Sequence, residues 1–95
     1  MRFIIDNKVY DTEKSERIIK YKKEYPLEGP LGLIIEPKYD TILYRTRRGN
    51  WFSVAIKSFD KKVAYKETND TVKKLFKSLN EVELYNKYFG TLEEA

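Results

Sequence analysis

The stretch "TILYRTRRGNWFSVAIK", residues 41–57, decides the fold class of this chain. Its two runs "TILYRT" and "WFSVAIK" are rich in β-branched and aromatic residues and flank Arg47-Arg48-Gly49-Asn50. Side chains of this kind suit a half-buried pleated surface, and a glycine beside asparagine supplies the left-handed backbone that a tight bend needs. The segment reads as a β-hairpin bent at Arg48-Gly49 or Gly49-Asn50. A bend centred on Arg48-Gly49 pairs Thr46 with Trp51. That register predicts Leu43, Arg45, Phe52, Val54 and Ile56 on one face and Ile42, Tyr44, Trp51 and Ala55 on the other.

Downstream, "KKVAYKE" (61–67) continues the alternation as a third strand after a turn near Asp60. In "DTVKKLFKSLN" (70–80) the period changes. Val72, Leu75, Phe76 and Leu79 recur at helical spacing, with Asp70 or Thr71 as a cap and Asn80 as the stop. "VELYNKYFG" (82–90) predicts a second, shorter helix closed by Gly90, and "TLEEA" a frayed tail.

Upstream, residues 26–40, "PLEGPLGLIIEPKYD", contain all three prolines. Its run "LGLIIE" fits a short strand, an exposed apolar lip or a loop tucked against the core; the tucked loop is the simplest expectation. Before it, "DTEKSERIIKYKKEY" (11–25) reads as a helix. Asp11 or Thr12 would cap it, Glu13 and Glu16 lie in its first turn, Lys20, Lys22 and Lys23 lie toward its end, and Pro26 terminates it. The opening "RFIIDNKVY" predicts two short strands joined at Asp6-Asn7, residues that tolerate a left-handed turn. The expected fold is a single α+β domain, residues 1–95: an antiparallel sheet of hairpins covered by an N-terminal helix and two C-terminal helices.

Composition narrows the chemistry. The 95 residues include 41% hydrophobic and 36% charged side chains, enough apolar surface for one core. There is no Cys and no His, so thiol chemistry, the commonest general base and the usual zinc ligands are missing. An enzyme is not expected, nor any cofactor. No apolar run approaches the roughly 20 residues of a membrane-spanning helix, and "MRFIIDNKVYD" meets charge too early for a signal peptide. The expectation is a cytoplasmic protein with no membrane partner. Net charge is +4, divided into a basic body and an acidic end: residues 81–95 hold one Lys against four Glu. A basic body suits phosphate or an acidic protein surface.

The central hairpin carries the candidate binding site. Arginine forks suit phosphate and carboxylate, and neighbouring rings offer stacking or contact area. Arg45, Arg47 and Arg48 with Tyr44 and Trp51 on an uncovered sheet face, and Lys61 and Lys62 nearby, form the expected partner-binding set. The plainer alternative is arginines solvated at a turn and Trp51 packed beneath the first helix.

Three blocks, "KVYDTEKSE" (8–16), "LYRTRRGNWF" (43–52) and "LNEVELYNKYFGTLEEA" (79–95), carry a resemblance. Their pattern of Tyr-Asp-Thr-Glu, Leu-Tyr-Arg-Thr-x-x-Gly-x-Trp-Phe and Tyr-x-x-Tyr-Phe-Gly resembles a family of small uncharacterised proteins encoded in phages and mobile elements of low-GC bacteria. The proline-bearing segment 26–40 departs from that pattern. Candidate anti-CRISPR inhibitors occur among similar proteins. The resemblance implies a non-enzymatic inhibitor that binds a host CRISPR effector or its guide RNA stoichiometrically, the effector being of an RNA-targeting kind. The alternative is a small nucleic-acid-binding accessory or regulatory protein of a mobile element. An oligomer-forming module is a third expectation, tied to the "LGLIIE" lip.

Overall fold

The computed structural model describes all residues, Met1–Ala95. The deciding hairpin is there: β6 (Lys38–Arg45) pairs antiparallel with β7 (Trp51–Ser58). Its bend has three residues, Arg47-Arg48-Gly49. The Gly49 N–H donates to the Thr46 carbonyl at 2.9 Å, the Thr46 N–H donates to the Asn50 carbonyl at 2.8 Å, and Gly49 takes φ 82°. This is a turn followed by a left-handed bulge residue, the common three-residue hairpin connection. Trp51 therefore pairs with Arg45, not Thr46, and Phe52 with Tyr44. A one-residue slip turns one strand's side chains over. The expected face assignment is corrected accordingly: Thr41, Leu43 and Arg45 share a face with Trp51, Ser53 and Ala55, while Ile42 and Tyr44 share the other with Phe52, Val54 and Ile56.

The predicted third strand is β8 (Lys61–Glu67), and the four-stranded sheet runs β3-β6-β7-β8, antiparallel throughout. Its first member, β3 (Glu16–Glu24), occupies the segment expected to be an N-terminal helix, and no such helix exists. The capping signal was genuine but local. Asp11 accepts the Glu13 N–H at 3.0 Å and caps a single 3-10 turn, Thr12–Lys14, after which the chain extends. Ile19 and Tyr21 then alternate onto the helix-covered face opposite Leu43 and Thr41. A strand satisfies the otherwise open edge of β6 and buries these β-branched and aromatic side chains; a helix here would have only a narrow apolar stripe.

The two C-terminal helices are α1 (Asn69–Ser78) and α2 (Val82–Phe89). The cap of α1 is Thr68, which exchanges hydrogen bonds with Thr71, instead of Asp70 or Thr71. Asn80 at φ 55° stops α1, and Gly90 at φ 99° closes α2. These helices cover the Leu43/Trp51 face, not the expected Leu43/Val54/Ile56 combination, and bury Leu43, Trp51, Val72 and Phe76 together. The opposite face is covered by the hairpin of β1 (Arg2–Ile5) and β2 (Lys8–Asp11), turned as expected at Asp6 and Asn7, both with positive φ. Tyr10 descends from it onto Ile42, Tyr44, Phe52 and Val54. The domain is thus α+β, with a sheet enclosed on both sides.

Between β3 and β6 the chain makes a small ribbon, β4 (Leu27–Glu28) with β5 (Ile34–Ile35). It is not tucked against the core as expected, because Leu27, Leu31, Leu33, Ile34 and Ile35 are all exposed. No helix is long and apolar enough to cross a membrane.

Candidate anion-binding cleft

Of the expected binding residues, the aromatic pair is withdrawn from the surface. Trp51 retains 3% of its exposure and lies under the helices, edge-on to Phe76 and to Tyr88, with its indole N–H donating to Asn69 Oδ1 at 3.0 Å. Tyr44 stacks on Phe52 at 5.1 Å beneath the N-terminal hairpin. Neither ring can meet a partner. Both belong to cores because two layers, not one, cover the sheet.

Arg45 is also folded back. Its guanidinium carbon sits 5.3 Å from the Trp51 ring centre and 5.1 Å from that of Tyr88, and its Nε is buried without a hydrogen-bond partner. The side chain runs beneath the bend: a Cβ added at Gly49 would meet Arg45 Nη2 at 3.2 Å. Its cation acts on aromatic faces inside the domain. Arg45→Ala is expected to lower stability by roughly 1–2 kcal/mol in a urea titration through lost stacking and stem packing, with little direct effect on anion affinity. Native stability with lost affinity would place the guanidinium in the binding contact instead.

Lys61 and Lys62 are exposed but lie far from the bend. They pair with Ser58 and Ile56 at one end of β7, whereas the Arg47-Arg48 bend enters the same strand at Trp51. Over eight residues the separation is roughly 25 Å. The expected seven-residue set is therefore not one surface.

What the fold does bring together is a different set. Arg47 and Arg48 project from the bend into a cleft of about 610 Å³, whose other wall is the N-terminal hairpin and the 3-10 turn carrying Arg2, Lys8 and Lys14. Five cations face one carboxylate, Asp11, which already caps the 3-10 turn. None of the five forms a salt bridge, although six ion pairs occur elsewhere. The walls are held together from below. Tyr10 sets its ring edge against Phe52 at 5.2 Å, and the N-terminal ammonium donates to Thr12 Oγ1 at 3.0 Å while the Thr12 N–H donates to the Met1 carbonyl at 2.9 Å. The only aromatic lining the cleft, Tyr10, is itself buried. Arg2, Lys8 and Lys14 were not anticipated; no spacing in the sequence links them to arginines 33 to 46 positions later.

The remaining polar interior is structural. Ser53 donates to Glu67 Oε2 at 2.7 Å, and the Tyr25 and Thr41 hydroxyls bond at 2.9 Å. Burial, reinforced by the Glu67 carboxylate, pushes the Tyr21 hydroxyl well above the ordinary tyrosine range, and burial raises Tyr25 as well. Both stay protonated at neutral pH, and the Tyr25 hydroxyl serves as a hydrogen-bonding group of the core. No protein family, curated protein or solved structure matches this chain significantly.

Proposed function

We propose that this protein is a non-enzymatic module that binds a phosphate-bearing polymer through the cleft lined by Arg2, Lys8, Lys14, Arg47 and Arg48. One observation carries the reading: five cations converge on one concavity that holds a single carboxylate, and none of them forms a salt bridge. Gathering like charges costs electrostatic energy in the free protein, and a polyanion relieves it while releasing its own counter-ions. With no accessible ring to stack on a base, the contacts are to backbone phosphates, so binding is indifferent to sequence.

The family resemblance suggests the setting. In the bacterial host cytoplasm the polymer is the nucleic acid held by an RNA-guided CRISPR effector, and the protein inhibits by occupying it stoichiometrically. The second reading, an accessory protein acting on free nucleic acid of a mobile element, is supported by the cleft being complete within one chain. Pull-down from a bacterial lysate with and without nuclease separates them: an effector retained after nuclease favours the inhibitor, and free nucleic acid alone favours the accessory protein.

The shared chemistry has its own test. If all five cations engage, affinity for single-stranded RNA should fall with a log–log salt slope near −3.5, on the order of 100-fold between 50 and 200 mM salt. Fluorescence anisotropy on labelled oligonucleotides of two unrelated sequences would read it. A flat salt response would remove the polyanion reading.

A further inference from the structure

The basic cleft occupies one end of the sheet; the opposite end is apolar. The β4–β5 ribbon leaves β3 and enters β6 there, and the β7–β8 turn lies at the same end, two strand spacings or roughly 10 Å away. The ribbon exposes Leu27, Leu33, Ile34 and Ile35, and the tips of the two connections are Leu31 and Phe59, each 98% exposed.

The ribbon tip is the more telling of the two. Leu31 and Gly32 both have positive φ, 59° and 73°, and the Leu33 N–H donates to the Pro30 carbonyl at 3.2 Å. Such turns match the twist of a two-stranded ribbon and ordinarily take Asn, Asp or Gly at both central positions. A leucine there carries a left-handed penalty of about 1–2 kcal/mol, and this one touches nothing in its own chain that would offset it. Asparagine would make the same turn at lower cost. The residue is explained by what it presents outward.

We infer that this end is a self-association surface, on which two copies of the chain meet about a two-fold axis so that the ribbon tip and Phe59 of each copy lie against the other. Summed over the exposed ribbon side chains and Phe59, the aliphatic and aromatic surface is on the order of 600 Å² per copy, the upper end of the range for a monomer's largest apolar patch. Twice that area clears the roughly 1,000 Å² a specific interface needs. Charge points to the same occupant. Glu28, Glu36 and Asp60 are balanced at this end by Lys57, Lys61 and Lys62, so like copies approach without the repulsion that the cleft end would impose. A two-fold axis also lets carboxylates of one copy face ammoniums of its partner. The resulting dimer presents two basic clefts at its far ends and engages a polyanion bivalently.

Sedimentation equilibrium and light scattering on the full chain test this from low micromolar to about 200 µM. The expected result is a mass twice the 11.4 kDa of one chain. The double variant Leu31→Asp/Phe59→Asp, both fully exposed and neutral for folding, should raise the dimer dissociation constant by roughly 30-fold or more with an unchanged circular dichroism melt. A native chain that stays monomeric across that range overturns the inference, and so does a variant that dimerises as well as the native chain. Monomeric protein that floats with phosphatidylcholine/phosphatidylserine vesicles would assign the surface to lipid and equally overturn it. The cleft is judged separately: its loss abolishes phosphate binding and leaves the dimer mass intact.

Discussion

The double substitution Arg47→Glu/Arg48→Glu is expected to weaken polyanion binding by roughly 30- to 1,000-fold at low salt while leaving the melting temperature within a few degrees of native. Each reversal removes one attraction to phosphate and adds one repulsion. At about 0.5–1 kcal/mol for each such charge contact near water, the pair accounts for roughly 2–4 kcal/mol. Stability is spared because both side chains are exposed and unpaired. The bend itself is held by Thr46, Gly49 and Asn50. The same anisotropy assay reads the outcome, and a two-arginine loss should also flatten the salt slope by about 1.4 for a single strand. If affinity survives the double reversal, the cleft is not the binding surface. Lys74→Glu/Lys77→Glu serves as the internal control, since those lysines are exposed on α1, away from both the cleft and the ribbon end, and should change affinity far less.

Trp51→Ala should produce the opposite profile, a collapse of stability of about 3–5 kcal/mol, the usual cost of truncating a large buried aromatic. The indole joins the two elements that close the helical face. It touches Phe76 of α1 and Tyr88 and Phe89 of α2, forms the floor under the Arg45 guanidinium, and donates to Asn69. Its removal leaves a cavity that the sheet below cannot collapse to fill. A domain of this size has a total stability of about 5–15 kcal/mol, so the melting temperature should drop on the order of 15–30 °C. Thermal denaturation followed by circular dichroism decides it. A variant that melts like the native chain but loses its partner would restore Trp51 to the surface role that its neighbourhood of arginines suggests from sequence.

The three blocks behind the family resemblance meet in space as packing residues. Tyr10 of the first sets its edge on Phe52 of the second, and Trp51 of the second packs against Tyr88 and Phe89 of the third. Tyr10, Leu43, Tyr44, Trp51 and Phe52 of these blocks are buried in the two cores, so the blocks describe how the chain folds. Four of the five cleft cations, Lys8, Lys14, Arg47 and Arg48, also fall within these blocks, and Arg2 lies outside them. Arg2, Lys8 and Lys14 are all exposed, and their placement on the N-terminal hairpin and the 3-10 turn is what brings them to the bend.

Local chemistry in the sequence determined the turns, the central hairpin, β8 and both C-terminal helices, because each depends on residues within a few positions: positive φ at Asp6-Asn7 and Gly49, alternation in β7 and β8, helical spacing from Val72 to Phe76. Tertiary structure alone decided the fate of residues 16–24, where capping and charge placement favoured a helix but the open edge of β6 needed a strand. It also decided which rings were buried, since one extra residue in the bend exchanged the faces of β6 and β7 relative to each other. The cleft belongs to the same class of fact. Electrostatic convergence depends on distance through space, and the hairpin and 3-10 turn that together supply three of its five cations reach the bend by docking Tyr10 onto the sheet.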